Sequence, residues 1–183
     1  MFLPDNPTFT HAMIFSTLVR KARNFARRSW FEKLWFIPVW LLLGASRFAI
    51  LTVPFRRLAF WLGVHEGIAP WVPLVDSRSE ATALSISRVV QMAAKYTPWK
   101  SNCFPQALAA RILLGFYGVP YSLFFGVNRD AEDAMLNAHA WVASGRVRVT
   151  GRTSFDQFTV VGCFVSTCLA TDMEQPHTHQ AKA

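Results

Sequence analysis

Two residues of this sequence form a candidate nucleophile–base pair, Cys103 and His139. Cys103 opens an apolar segment, and His139 follows thirty-six residues later. The N-terminal end of a helix carries partial positive charge and unpaired backbone N–H groups, which favour a thiolate over a thiol. The same N–H groups can hold the oxyanion that forms when sulfur attacks a carbonyl. A histidine on a neighbouring strand would accept the thiol proton, so the pattern indicates nucleophilic catalysis.

The residues around Cys103 predict that it lies in the first turn of a helix. Asn102 is a residue type that favours N-caps, and Pro105 is tolerated where its missing N–H costs nothing. Apolar residues then recur at helical spacing over residues 107–116, and Gly118 is a typical C-terminal stop. A thiol in this position would face the unpaired N–H groups of the first turn.

The segment after this helix predicts antiparallel strands, one of which carries His139. Residues 121–127 are apolar enough for a buried strand, and Ser144-Gly145 predicts a hairpin turn into the alternating segment 146–149. We therefore expect an α+β fold with a papain- or transglutaminase-like core. Its cysteine would lie at a helix N-terminus and its histidine on an antiparallel sheet, after an N-terminal helical extension.

Four motifs carry a family resemblance. The stretch 98–111, which contains Cys103-Phe104-Pro105-Gln106-Ala107-Leu108, is followed by Gly118-Val119-Pro120, Phe125-Gly126-Val127 and His139-Ala140-Trp141-Val142. Together they resemble the lasso peptide biosynthesis B2 protein family, over roughly residues 76–165. That resemblance implies a transglutaminase-like leader peptidase in which Cys103 is the nucleophile and His139 the general base.

The resemblance also implies a function and partners. Members of that family cut the leader from a ribosomally synthesised lasso precursor peptide. A separate leader-recognition domain protein presents the leader, and an ATP-dependent macrolactam synthetase takes the released core. We expect the precursor and both proteins as partners. Two alternatives stay open: an amide-forming acyltransferase of the transglutaminase type, and a catalytically degenerate scaffold that binds the peptide for the synthetase.

The third catalytic position departs from the family pattern. An acidic residue about a dozen positions after the histidine would orient the imidazole, but Gly151 stands there. The nearest downstream carboxylate is Asp156, which we take as the candidate third member. Thr150 or a backbone carbonyl is the alternative, because orienting the ring requires an acceptor and not necessarily a charge.

Basic and apolar residues concentrate in the N-terminal part. The net charge is +8, and residues 1–75 hold nine Lys and Arg against three Asp and Glu. The segment 34–46 carries no charge, but a span of about 20 residues would place Arg47 near its centre. That position costs roughly 3 kcal/mol.

The sequence leaves three arrangements open for this part. We favour helices that pack on the catalytic core or on a partner. Contact with an anionic membrane surface is second and a membrane span third, so we expect a cytoplasmic protein, peripheral at the inner face of the membrane in the second case. The surface alternative depends on a basic cluster beside aromatic residues: Arg20, Lys21, Arg23, Arg27, Arg28 and Lys33 with Trp30, Phe31, Trp35 and Phe36.

These features predict three regions. Residues 1–75 form a basic, apolar helical region that ends in a linker at 63–73. Residues 76–170 form the peptidase core, which begins with a helix that a Ser77–Glu80 capping box starts and that runs to Lys95. The core ends in an apolar closing strand at 158–169. Residues 171–183 form a polar tail that we expect to be disordered.

The remaining chemistry is sparse. Cys163 and Cys168 lie in the apolar closing strand, where an inert buried thiol is the expectation. We expect no metal and no cofactor, since no Cys-x-x-Cys or His-x-x-x-His spacing occurs. The sequence pI of about 10.0 raises nucleic-acid binding, but no signature of it appears. Trp99 either lines the substrate groove or packs, and Trp141 is expected to support the core or the histidine ring.

Overall fold

The computed structural model describes residue 23 and residues 27–129, 136–151 and 154–167. Helices and one antiparallel sheet make up these ranges, with most of the helices before most of the strands, as expected of the predicted α+β class. The elements in chain order are α1 (Trp30–Thr52), α2 (Phe55–Ala59), β1 (Val64–His65), α3 (Ser77–Lys95), α4 (Cys103–Phe116), β2 (Ser122–Arg129), β3 (Leu136–Ser144), β4 (Val147–Arg148), α5 (Ser154–Gln157) and β5 (Thr159–Val165).

The five described strands form one sheet in the order β1-β5-β2-β3-β4, with each neighbouring pair antiparallel. β2 pairs with β3 along its whole length, and this register sets Gly126 opposite His139. β1 pairs Val64 with Val165 and His65 with Phe164. The expectation of a linker at 63–73 is therefore wrong for residues 64 and 65, which form the edge of the sheet.

Two apolar clusters lie on the two faces of the sheet. The larger cluster fills the space between the helices and the sheet, and it includes Ala140 and Val142 of β3. The smaller cluster contains Phe124, Trp141 and Cys163. Successive residues of a strand point to opposite faces, so the side chains of β3 alternate between the two clusters.

Helix α3 begins one residue earlier than the Ser77–Glu80 capping box predicts. Its N-cap is Asp76, whose carboxylate accepts a hydrogen bond of 2.8 Å from the Ser79 N–H. The Glu80 carboxylate does not close a box with Ser77; it accepts a hydrogen bond of 3.0 Å from the Arg146 N–H. Glu80 thus ties the helix to the β3–β4 turn, and the helix ends at Lys95 as predicted.

Helix α4 begins at Cys103 and ends in the expected glycine stop. Gly118 adopts a φ of +64°, which glycine accepts without strain. The Val119 N–H bonds to the Leu114 carbonyl and the Gly118 N–H to the Gly115 carbonyl, which is the Schellman pattern. The helix is buried along its middle, so Cys103 is held at the end of a rigid element.

Helix α1 packs on the core through one face. Val39 and Leu43 have no exposed surface and lie against α3 and α4. Trp40 donates a hydrogen bond to the Tyr96 carbonyl, and Trp35 donates one to the Tyr117 hydroxyl. By length and composition, α1 is long and apolar enough to cross a membrane, which is weak support for a span.

Several predictions fall on residues outside the described ranges. These are the basic residues Arg20 and Lys21, the last two residues of the predicted closing strand (168 and 169) with the thiol of Cys168, and the tail 171–183. Within the described ranges, the closing strand forms as Thr159–Val165.

Candidate active site

Cys103 and His139 line the same cavity, which has a volume of about 390 Å³. Cys103 lies at the first position of α4 and His139 on β3. Both side chains are half-buried, so each can be reached from solvent. The rest of the wall is mainly apolar and is formed by Phe55, His65, Phe104, Phe125, Gly126, Val127, Ala138, Ala140, Val161, Gly162 and Phe164.

The thiol side of the cavity presents free backbone donors. The Asn102 side chain makes no capping hydrogen bond, although Asn102 stands at the N-cap. Pro105 has no N–H, so the donors of the first turn nearest the thiol are the N–H groups of Cys103 and Phe104. Neither forms a hydrogen bond within the part of the chain that the structure describes. They are in place to hold an oxyanion next to the sulfur.

The loop that enters α4 is held by side-chain hydrogen bonds. The Gln106 amide donates to the Ser101 carbonyl at 2.7 Å. The Thr97 hydroxyl lies 2.9 Å from the Ser101 hydroxyl and also approaches the Trp99 carbonyl at 3.1 Å. These contacts determine the direction from which the chain reaches Cys103, so they position its thiol.

The imidazole of His139 is held by aromatic rings. It stacks on Phe158, with ring centroids 4.9 Å apart and an interplanar angle of 22°. Trp141 lies nearly parallel to it at 6.0 Å. This packing places the ring with the smaller cluster, and the burial lowers the pKa of His139 from its usual value of 6.5. A neutral imidazole, which can accept a proton, is favoured.

No hydrogen bond joins the Cys103 thiol to the His139 imidazole, although both residues are described. Ala140 and Val142 belong to the helix-facing cluster, whereas Trp141 belongs to the other. His139 lies two positions before Trp141 on the same strand, so its side chain is on the Trp141 face of the sheet and not on the face that packs against α4. The structure thus brings both residues to one cavity and leaves their polar atoms apart.

Gly126 makes room for this aromatic packing. A Cβ at that position would lie 2.6 Å and 2.7 Å from ring atoms of Trp141 and 2.9 Å from the Phe158 Cβ. Trp141 has no exposed surface, so its ring has nowhere to move. A residue without a side chain opposite His139 is therefore what lets the rings close over the strand.

The two candidates for orienting the imidazole both bond elsewhere. Asp156 is exposed and forms an ion pair with Arg148 at 3.5 Å. Asp156 and His139 are both described, and no hydrogen bond or ion pair joins them. The Thr150 hydroxyl accepts a hydrogen bond from the Val142 N–H. Asp156 as the third catalytic member stays a prediction, and the contacts that the structure does give to the His139 ring are aromatic.

Sequence reasoning missed the aromatic wall of the cavity. Phe125 stands at its centre, edge-to-face with Phe104 at 5.2 Å and with Phe164 at 5.8 Å. Phe55 joins the same group, 5.3 Å from Phe125. These rings come from four elements separated in sequence, and alternation within each strand was the one signal that could have found two of them.

His65 is a second imidazole at this cavity. It lies on β1 and meets the Phe164 ring edge-on at 5.0 Å. The sequence placed this residue in a linker, so nothing there pointed to the site. Pairing of β1 with β5 is what brings it to the wall.

The other singled-out residues pack in the interior. Trp99 contacts Trp40 at a centroid distance of 4.6 Å and covers Gly44, so packing on α1 accounts for it. Cys163 is fully buried, and burial, reinforced by Glu66, raises the pKa of its thiol to about 11. Within residues 27–129, 136–151 and 154–167, no three His, Cys, Asp or Glu residues form a group that could hold a metal ion.

Comparison with models of known protein families gives one match. The model of a family described as the transglutaminase-like superfamily matches residues 49–163, which is more than half of the chain and includes all of the cavity residues except Phe164. The chain belongs to the transglutaminase-like superfamily. A search of curated proteins and a search of solved structures each found no match.

Membership confirms the predicted transglutaminase-like α+β fold. The superfamily includes cysteine peptidases and acyltransferases and is typically enzymatic through a thiol. The matched range begins within α1, so the superfamily domain takes in β1 as well as the core predicted from residue 76.

Proposed function

We propose that this protein is a cysteine peptidase that removes the leader from a ribosomally synthesised lasso precursor peptide. The observation that carries the proposal is the single cavity shared by Cys103, at a helix N-terminus with free N–H groups, and His139. The motifs around both residues, which resemble those of lasso leader peptidases, narrow the reaction to precursor maturation.

In the proposed reaction, His139 takes the Cys103 proton and the thiolate attacks the carbonyl carbon of the last leader residue. The N–H groups of Cys103 and Phe104 stabilise the oxyanion. As the C–N bond breaks, the imidazolium gives its proton to the departing amine, and the core peptide leaves. Water, deprotonated by His139, then cleaves the thioester and releases the leader carboxylate.

This reaction requires the imidazole to approach the thiol. Nucleophile–base hydrogen bonds are often loose without substrate and tighten in the complex. A rotation of the His139 side chain away from Phe158 would bring the ring towards α4. Substrate binding in the cavity would have to drive that rotation.

The cavity wall suggests what lies beside the cleaved bond. Phe55, Phe104, Phe125 and Phe164 form a continuous aromatic surface next to Cys103. A charged side chain there would lose its hydration without gaining a partner. The peptide residue that enters this part of the cavity is therefore large and apolar.

Partners complete the proposal. The precursor leader would be presented by a separate recognition domain protein, and the released core would pass to an ATP-dependent macrolactam synthetase.

Two other functions have some support. An apolar cavity also suits an organic amine in place of water, which favours amide-forming acyl transfer as the second candidate. The missing contact between thiol and imidazole favours the third, a scaffold that binds the peptide without cutting it.

Mass spectrometry of a candidate precursor tests these three functions. The peptide is incubated with its recognition partner and with wild type, Cys103→Ala, His139→Ala or the control Cys163→Ala. We expect cleavage at one site by wild type and the control alone, with a loss of at least about 10³-fold in the other two. Cleavage that persists in Cys103→Ala contradicts the nucleophile assignment.

Two further arms separate the alternatives. Added primary amines that appear in new amide products, in place of the free carboxylate, would assign the acyltransferase reaction. A peptide that binds the wild type and all three variants and is never cut would assign the scaffold.

A further inference from the structure

Helix α1 carries a long apolar surface on the side away from the core. Six large apolar side chains along it are each more than half exposed, between 58% and 77%. They recur three, four or seven positions apart, which places them on one face of the helix. We call this surface the apolar stripe; its members are Trp30, Leu34, Ile37, Leu41, Phe48 and Leu51.

Further exposed aromatic side chains follow α1 in the chain. Phe55, Phe60 and Trp61 are 51%, 86% and 70% exposed, on α2 and the turn that follows it. Two exposed arginines, Arg56 and Arg57, lie on α2 between them. Large exposed apolar side chains gathered on one helix face, with exposed aromatic and basic residues directly after it, mark an interaction site and not a solvated face.

The chemistry of this surface fits a lipid bilayer. Trp, Phe and Leu on the apolar side with arginine beside them is the composition of helices that lie in the interface of anionic membranes. The stripe extends over about 30 Å of helix at 1.5 Å per residue, with a tryptophan near each end of the whole surface. Tryptophan rings favour the headgroup level.

The packing of α1 favours an orientation parallel to the membrane over a spanning one. Its opposite face is committed to the core through Val39 and Leu43, and the hydrogen bonds of Trp35 and Trp40 tie it to the rest of the domain. A helix fixed in this way can bury only one side in lipid.

We propose that the apolar stripe docks the protein on the surface of an anionic phospholipid bilayer, with α1 parallel to the membrane and Arg56 and Arg57 at the phosphate headgroups. Phe55 belongs both to this surface and to the cavity wall. The mouth of the cavity therefore lies at the membrane surface. This proposal stands on the exposed surface alone and does not depend on the reaction proposed for the cavity.

Vesicle flotation tests the proposal. The full chain is mixed with vesicles of phosphatidylcholine, with or without phosphatidylglycerol, and the bound fraction is measured. We expect binding to the anionic vesicles that weakens as salt is raised, since the arginine contribution is screened. Failure of the folded wild type to float with anionic vesicles overturns the proposal.

Matched variants locate the binding surface. Ile37→Gln combined with Leu41→Gln removes two stripe residues, and we expect binding at least about tenfold weaker. Arg56→Gln with Arg57→Gln is expected to weaken binding about thirtyfold, on anionic vesicles alone. The controls make the same changes elsewhere, at Leu74 (98% exposed) and at Arg88 on α3, and should bind as wild type.

Circular dichroism melts confirm that each variant folds before its binding is compared. Equal flotation of the stripe variant and the Leu74→Gln control contradicts the assignment of the surface. Sedimentation velocity separates a different occupant: a dimer that Leu41→Gln dissociates, in a protein that does not bind vesicles, would assign the stripe to a second copy and overturn the proposal.

Discussion

The two sides of the cavity are held by different kinds of contact. The thiol side is fixed by hydrogen bonds, from Gln106 and Thr97 to the loop before Cys103. The imidazole side is fixed by ring packing, with His139 stacked on Phe158 and near Trp141. Hydrogen bonds are directional and specify one geometry, whereas ring stacking limits a side chain to a plane. The loop before Cys103 is thus held by directional contacts, and the ring of His139 by contacts that leave it more freedom within the stacking plane.

The largest expected effect comes from filling the space opposite His139, on the imidazole side of the cavity. Gly126→Ala places a Cβ against the fully buried ring of Trp141 and the Phe158 Cβ. We expect it to lower the free energy of unfolding by about 3 kcal/mol, because the rings cannot move aside without opening the smaller cluster. Chemical denaturation at neutral pH measures the change.

Gly115→Ala is the matched control for that substitution. Gly115 is exposed on α4, and a Cβ there meets no atom within 4 Å. Alanine should raise the free energy of unfolding by about 0.5–1 kcal/mol, since it favours the helix. Equal effects of the two alanines would show that the clash at Gly126 does not determine stability.

Removing the Phe158 ring that stacks on His139 should lower the free energy of unfolding less than Gly126→Ala does. It should also shift the pKa of His139. We expect Phe158→Ala to cost about 2 kcal/mol for a half-buried ring, whereas Phe60→Ala, at 86% exposed, costs little. Burial lowers the pKa of His139, so the acid limb of kcat/KM should lie below pH 6.5 in wild type. Phe158→Ala exposes the ring and should move this limb upward, towards 6.5.

The same pKa has a consequence for stability. Between the lowered folded pKa and 6.5, the unfolded chain binds a proton that the folded chain refuses. The contribution of His139 to stability is therefore present above pH 6.5 and is lost as the pH falls through the folded pKa.

The activity profile gives the contradicting outcome. If the acid limb of kcat/KM lies at or above pH 6.5 in wild type and Phe158→Ala does not move it, burial does not lower the pKa of His139.

Loosening the thiol side should affect rate with little change in stability. Gln106→Leu removes the 2.7 Å hydrogen bond to the Ser101 carbonyl and leaves the helix apolar surface in place. We expect kcat to fall about tenfold, since a misplaced nucleophile loses orientation. Gln91→Leu removes a comparable hydrogen bond, to Ser87 on α3, and should leave kcat unchanged. Similar losses in both would assign the effect to general destabilisation.

The smallest of the expected effects is a difference in alkylation between the thiols of Cys103 and Cys163. The Cys163 thiol has a pKa of about 11, so about one molecule in a thousand carries the thiolate at pH 8. Iodoacetamide should modify Cys103 in the folded protein and reach Cys163 only after unfolding, as peptide mass spectrometry would show. Because the folded pKa is raised, the contribution of Cys163 to stability is present below pH 9 and is lost as the pH rises through about 11.

Much of the thiol side could be predicted from the sequence, and little of the imidazole side. Cys103 at the start of α4 and Gly118 after its end were predicted from caps and periodicity, and the structure has both. The sequence also predicted His139 on a strand. It could not predict the ring's direction, because that follows from contact with Phe158, which lies immediately before β5.

The errors have the same origin. Ser77–Glu80 matches a capping box, yet Asp76 caps α3 because Glu80 is bonded to the β3–β4 turn. His65 lies in a segment rich in glycine and proline, which predicts a linker, but two residues of it pair with β5. Each error is a local signal overruled by a contact between residues more than sixty positions apart.

The sequence by itself determined the superfamily core: a cysteine in the first turn of a helix, antiparallel strands after it, and a histidine on one of them. Those features depend on residues within a few positions of one another, where propensity and capping act. The tertiary structure alone decided the aromatic wall, the direction of the His139 imidazole and the exposure of the apolar stripe. Each of these depends on which faces of distant elements are covered, and that is settled only when the whole chain packs.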